Sequence, residues 1–224
     1  ELSAGNFLSS NFLFAGGVRR DIIYRSDTIN EELIGVSSEN HNSLFFNIVN
    51  DQFHRRDYPT SGTRLVIDAT YSGNFSLSPI KYTSLGGLFE YYIPMSENLS
   101  FRNLFFGGYS SGNDLPWGSW FTVNLLDPIF GYVRFGGLER YEFDSRNLQM
   151  VSAGFQFEPI YHRFINVDYY AGRFLDEWSI DATDIVHGAS LSVGALTILG
   201  PVSVILSSST EHNFLAELQI GYQF

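Results

Sequence analysis

The side chains able to do chemistry are few and poorly grouped. Cysteine is absent, which removes disulfides, thiolate catalysis and cysteine metal sites. The five histidines are His41, His54, His162, His187 and His212. They include neither an i, i+4 pair for a helix nor an i, i+2 pair on a strand, the spacings that bring two imidazoles to one metal ion. No metal site and no cofactor is expected. The nearest approach to a nucleophile set is His187 with Ser190 or Ser192 and Asp184. Serine is abundant here, and a triad is identified by geometry rather than by nearness in sequence, so His187 reads better as a lumen or rim residue. Gly136-Gly137 would suit a phosphate if a helix or a lysine followed. Neither does, and the pair reads as a backbone bend. No catalysis is expected within this chain.

Charge narrows the partners. The 224 residues carry a formal charge of −11, with Lys81 the single lysine. A nucleic-acid partner is not expected, because backbone binding needs a basic face. Charged residues are 17%, below the roughly 25% usual for soluble domains. Aromatic residues are also 17%, chiefly 21 Phe and 13 Tyr, types that suit strands and the interface girdles of membrane barrels. Nothing approaches the ~18–20 apolar residues of a membrane-spanning helix. The start, Glu1-Leu2-Ser3-Ala4, lacks the basic and apolar regions of a signal peptide, as expected of a mature exported chain or of a piece of a longer one.

The elements that must hold these residues have a period of two. Leu65, Ile67, Ala69 and Tyr71 share a face opposite Arg64, Asp68 and Thr70, with Val66 the exception. Ile165, Val167, Tyr169 and Ala171 oppose Asn166, Asp168 and Tyr170, and Ala189, Leu191, Val193 and Ala195 oppose Ser190, Ser192 and Gly194. Val202, Val204 and Leu206 repeat the pattern. Strict alternation marks half-buried strands. The small or polar second face points to a hydrated interior.

Strands are expected near 12–25, 42–54, 62–73, 79–94, 97–109, 145–158, 161–173, 185–198, 200–209 and 212–224, with a further one within 1–10 and one or two within 119–137. Many reach the ~9–11 residues that a tilted strand needs to cross a bilayer. Connections around 58–62, 94–98, 158–161 and 199–201 are short and rich in Pro and Gly, whereas 26–41, 110–144 and 174–184 are long and polar. Short turns on one side and long loops on the other characterise outer-membrane barrels. The reading is all-β, one domain over 1–224: an antiparallel transmembrane β-barrel of about 10–12 strands, best 12. The turns are periplasmic and the loops extracellular. Tyr91, Tyr92, Tyr161 and Tyr222 near the turns, with Trp117, Trp120 and Trp178 near the loops, read as two aromatic belts. By alternation Arg102 faces inward, and Asn103 then sits on the outward face with Phe101 and Phe105.

Four segments, in order, resemble the C-terminal barrel of the bacterial surface antigen superfamily, which includes barrel-assembly proteins, two-partner secretion transporters and patatin-like type V secretion proteins. Asp57-Tyr58-Pro59-Thr60-Ser61-Gly62 is similar to the family's Pro-Thr-x-Gly turn. Phe130 to Tyr141, with Gly136-Gly137 and Arg140, resembles the start of its long conserved loop. Gly200-Pro201 resembles the turn opening the penultimate strand. The ending Leu218, Ile220, Gly221, Tyr222 and Phe224 resembles its assembly signal, with Leu218, Ile220, Tyr222 and Phe224 toward lipid. The resemblance covers roughly 42–224.

It implies a periplasmic turn at Pro59 and Gly62, and a loop arginine, Arg140, tucked into the lumen against the inward acid Asp168. It also implies recognition of the C-terminal strand by barrel-assembly machinery, outer-membrane lipid around the barrel, and a location in the bacterial outer membrane. Only Leu138 and Glu139 separate Gly-Gly from Arg140, and Tyr141 stands where the family has glycine. The resemblance implies a barrel that anchors, assembles or translocates an attached or partner domain, and that shortened loop, with fewer strands than usual in the family, suits an anchor more than a full translocon. A patatin-like phospholipase domain outside this chain is one candidate cargo, the chain being then the C-terminal part of a longer protein. A low strand count could also be met by homodimer formation. A small diffusion porin and an integral outer-membrane hydrolase are the alternatives.

Overall fold

Eleven strands form one antiparallel sheet in the computed structural model of the chain. It describes residues 2–29, 32–55, 57–74, 78, 80–112, 115, 120–124, 126–127, 130–140, 142–179, 183–198 and 200–221; for 2–3, 7–8, 21–29, 32–41, 126–127 and 144 it describes the backbone alone. The strands run β1 (Leu2–Ser9), β2 (Phe12–Ile29), β3 (Glu32–Asp51), β4 (Gly62–Ser72), β5 (Tyr82–Pro94) and β6 (Leu99–Gly112), then β11 (Asn147–Ile160), β12 (Arg163–Leu175), β13 (Val186–Thr197), β14 (Gly200–Ser209) and β15 (Leu215–Ile220). Each pairs with its neighbour in that order. Eleven falls inside the expected range and one below its best value. Between β6 and β11 lie four two-residue strands, β7 (Phe121–Thr122), β8 (Leu126–Asp127), β9 (Gly131–Tyr132) and β10 (Asp144–Ser145), which pair β7 with β10 and β8 with β9, outside the wall.

Alternation sorts the wall into two faces. Leu85, Phe89, Phe105, Val167, Leu191, Val193, Val204 and Leu218 are exposed on the outside. A contiguous apolar exterior of this kind is what lipid covers in a membrane barrel. Inward positions are buried or half-buried. The β2–β3 hairpin is longer than expected. Residues 26–29 and 32–41, read as a polar loop, are strand, and the ladder runs on from Arg19↔Ser43 to Ile29↔Glu32. Polarity misleads here because a paired ribbon satisfies its backbone groups whatever the polarity of its side chains.

The described residues of 120–146 fold into the lumen instead of adding wall strands. Phe121, Val123, Phe130, Val133, Phe135 and Leu138 of this inner loop pack with Val66, Leu88, Phe106, Leu148, Met150 and Tyr170 of the wall into one buried cluster. The expected hydrated interior is therefore wrong for this part of the barrel. Val66, the exception to the alternation of β4, is fully buried because it faces the loop and not water. The small inward residues also have another cause. A Cβ at Gly86 would strike the Phe130 ring, at Gly108 the Phe121 ring, and at Gly172 the Phe135 ring. The wall is thinned where loop aromatics sit, so that loop and wall pack closely there.

Candidate functional site

Below the apolar cluster, toward the short turns, lies a polar cavity of about 870 Å³ lined by residues such as Arg64, Tyr92, Arg102, Arg134, Asp168 and Gln219. Several of its charged groups are paired. Arg102 of β6 grips Asp168 of β12 through two hydrogen bonds, Nε to Oδ1 and Nη2 to Oδ2. Both residues are in register with Gly154 of β11, one from each side. A Cβ at 154 would overlap the Asp168 carboxylate, so the glycine is the gap through which the pair meets. A fork-on-carboxylate geometry suits arginine and not lysine. The Arg64 guanidinium lies 3.4 Å from Glu90 and donates to the Phe130 carbonyl at 3.1 Å, tying the wall to the inner loop.

The loop itself is pinned by Asn124. Its amide donates to the carbonyls of Phe135 at 2.9 Å and Leu138 at 2.8 Å, and its Oδ1 accepts the Phe135 N–H at 2.8 Å. Asn124 has φ +59, a left-handed conformation that asparagine tolerates better than most residues. The Gly136-Gly137 bend presses onto β13 and β14. Gly136 abuts Tyr170 and Ser190, Gly137 has φ +85 and no room for a Cβ beside the Ser208 backbone, and Ser209 Oγ donates to the Gly137 carbonyl at 2.6 Å. The bend closes on protein. Farther along, Glu142 meets His212 at 2.9 Å.

Arg140 and Asp168 are not brought together. Arg140 is 65% exposed, with Glu217 its nearest acid at 4.0 Å, and Asp168 is taken by Arg102. The implied lumenal arginine is corrected on both counts. The loop turns back at Gly137, which carries residue 140 toward the β14–β15 side. Arg134, less exposed and 3.6 Å from Glu217, is the loop arginine that lines the cavity.

The Pro59–Gly62 turn is longer than a hairpin turn. It joins β3 to β4 through residues 52–61, and Gly62, with φ +111, has no room for a Cβ beside the Gln52 backbone. Its tip crosses toward the opposite wall. The Tyr58 ring stacks on Phe164 at 4.2 Å between centroids and 8° between planes. Burial pushes the Tyr58 phenol above its ordinary pKa, opposed by its hydrogen bond to Ser203 and by the nearby Arg134 and Arg102.

Leu218 and Ile220 face outward, as expected, while Glu217, Gln219 and Gly221 face in. Tyr222 and Phe224 lie outside the described residues, as do Tyr141 and Trp117. His187 is on the outer face, its Nδ1 2.6 Å from the Tyr169 hydroxyl, whereas Ser190 and Ser192 are buried inside. The sheet therefore separates the members of the nucleophile set considered above. Tyr92 lines the cavity and so leaves the expected aromatic belt. Trp178 is exposed beside Tyr109. Asn103 lies in register with Tyr91 and Ala153 on the outward face, its Oδ1 buried without a hydrogen bond among the described residues.

No family model and no curated protein matches the sequence. Among solved structures, that of BamA from Haemophilus ducreyi lacking POTRA domains 1–3 matches 97% of this chain with a TM-score of 0.71 at 13% identity. The chain spans about half of that protein, 52%. The resemblance carried by the four sequence segments thus holds at the level of fold, and the fold is that of an outer-membrane β-barrel.

Proposed function

We propose that the chain is a bacterial outer-membrane barrel that anchors, assembles or translocates an attached or partner domain, with no catalysis of its own. The observation carrying this reading is the filled lumen. A diffusion porin keeps a polar channel open from end to end, and here the inner loop occupies the barrel with buried Phe121, Phe130, Phe135 and Leu138. A barrel plugged by its own loop suits holding or handling another polypeptide better than passing small solutes. The fold likeness to BamA supports the same direction. On this reading the last strand, with Leu218 and Ile220 outward, is what barrel-assembly machinery recognises. The attached domain we favour is a patatin-like phospholipase outside this chain, as in type V secretion.

The reading is tested in cells expressing the complete reading frame. Deletion of the barrel is expected to abolish outer-membrane fractionation of whatever domain or partner accompanies it. Unchanged fractionation would sink the reading. Purified barrel in planar bilayers is expected to stay closed, and a stable, solute-passing conductance in the unaltered protein would favour the porin alternative.

A further inference from the structure

The connection between β3 and β4 is built as more than a turn. Hairpin loops commonly need two to five residues, and this one has residues 52–61. Its base continues the ladder, Gln52 N–H to Thr63 O at 2.8 Å and His54 N–H to Ser61 O at 3.3 Å. The tip then reaches the far wall. Tyr58 stacks on Phe164 of β12. Gln156 of β11 donates to the Pro59 carbonyl at 3.0 Å. Arg55 donates to the Tyr58 carbonyl at 2.6 Å, pairs with Glu158 at 2.8 Å and lies over the Phe164 ring at 5.0 Å. Gly194 of β13 is bare where the Tyr58 hydroxyl arrives. Pro59 is buried by this docking, and Tyr58 and Pro59 line the cavity mouth.

We propose that the described residues of this connection, 52–55 and 57–61, are a strap gating the lumen from the short-turn side, with Tyr58 as the latch. Three features distinguish a latch from a permanent plug. At its base the strap has the Phe53 ring edge-on to Tyr92 at 5.3 Å, and its tip is held by one ring, one rim ion pair and a few hydrogen bonds, whereas the inner loop is held by a continuous apolar cluster. Elements with few buried apolar contacts open first. Tyr58 also has φ +47, a conformation that strains a residue with a side chain. The docked contacts hold that strain, and release of the tip relieves it. Arg55 and Glu158 keep 24% and 15% of their side-chain surface exposed, so water can compete for their ion pair. The strap faces the cavity and the short-turn exterior, and its opening would admit to the lumen a group too large to pass it closed.

The absence of cysteine makes a direct test available. Ser152 lines the cavity on β11, four residues inward of Gln156, about 13 Å at the rise of a strand. Purified Ser152→Cys barrel is labelled with a small maleimide and with a polymer-linked one, after heat-modifiable migration has shown each variant folded. The small reagent is expected to react equally in the Ser152→Cys parent and in its Tyr58→Ala derivative. The bulky one is expected to react about tenfold faster in the Tyr58→Ala derivative, the scale of losing one aromatic stack and one hydrogen bond. Tyr58→Phe, which keeps the ring, should stay near the parent. Arg55→Ala supplies the same readout should Tyr58→Ala fail to fold. Equal bulky-reagent rates with and without the latch, whether fast or slow, overturn the proposal. The assay uses the barrel alone, so its failure leaves the anchoring reading standing.

Discussion

Arg102 and Asp168 stand two strands apart and meet across Gly154, the residue that lies in register with both. The arrangement joins β6, β11 and β12 at one height, inside the wall, with Asp168 only 5% exposed. Removing one partner of a buried ion pair is costly because the other charge remains unpaired. Asp168→Asn is expected to destabilise the folded barrel by about 3 kcal/mol, read as a lower midpoint for loss of the heat-modifiable form in urea. Gly154→Ala should approach the same loss by forcing the pair apart. Arg140→Ala, at an exposed site, should stay within about 0.5 kcal/mol of the parent.

Asn124 supplies three hydrogen bonds that the inner loop draws from one amide. Asn124→Ala and Asn124→Gly are both expected to cost about 2–3 kcal/mol, the scale of leaving buried backbone groups unsatisfied. Glycine relieves any strain at φ +59 but restores no bond. Limited proteolysis within 120–146 should rise in both variants. Protection retained in the glycine variant alone would assign the effect to backbone conformation.

Gly137→Ala places a methyl group against the Ser208 backbone at a positive φ. Undocking of the bend from β14 is the expected result, at a cost above the roughly 1 kcal/mol of the backbone conformation alone. Gly87→Ala meets nothing within 4 Å and is expected to be silent, which controls for glycine replacement as such. Comparison of their unfolding midpoints checks both.

Tyr58 carries a pH expectation. Burial raises its phenol pKa above the ordinary value, so the docked strap favours the neutral ring. The contribution is fully present below the ordinary tyrosine value, about 10, and is lost as pH rises through the higher folded value. Bulky-reagent labelling of Ser152→Cys, corrected for the thiolate fraction with the small reagent, should be flat between neutral and mildly alkaline pH and climb only beyond the ordinary tyrosine range. Tyr58→Phe should remove that climb.

Leu218 is 63% exposed on the outer face of β15. On the proposed membrane reading, Leu218→Arg puts a charge toward lipid at about 2–4 kcal/mol if at midplane depth, less near the interface. A smaller yield of barrel in the outer-membrane fraction is expected. Gln219→Arg, facing the cavity, should assemble nearly as well as the parent.

The wall was largely legible because a period of two survives along most of the described wall strands. The outward sets on β4, β12, β13 and β14 are those expected from alternation. Alternation also turns Arg102 and Asp168 inward, but it carries no information on height. Height comes from the register across β6, β11 and β12, which no single strand encodes. Asn124 and Tyr58 were hidden for a related reason. Each acts through the path of a connection, and the sequence signal for such residues is at most a turn-former or an aromatic among polar neighbours. The inner loop resisted reading because its apolar residues follow neither period. Its partners on the wall did leave traces, Val66 as an exception to alternation and Gly86 and Gly108 as gaps.

Strand direction has a consequence for the seam. Eleven antiparallel strands place β1 and β15 on the two flanks of the sheet, running the same way, both toward the short-turn side. A direct seam between them would be a parallel one, with slanted hydrogen bonds and less stability per residue. Two copies inserted with the same orientation would meet flank to flank in parallel as well, whichever flanks were joined. A seam matching the rest of the wall therefore demands an odd number of strands between the flanks, the nearest of them climbing away from the short-turn side, so parity alone dictates the heading of any polypeptide that completes the cylinder.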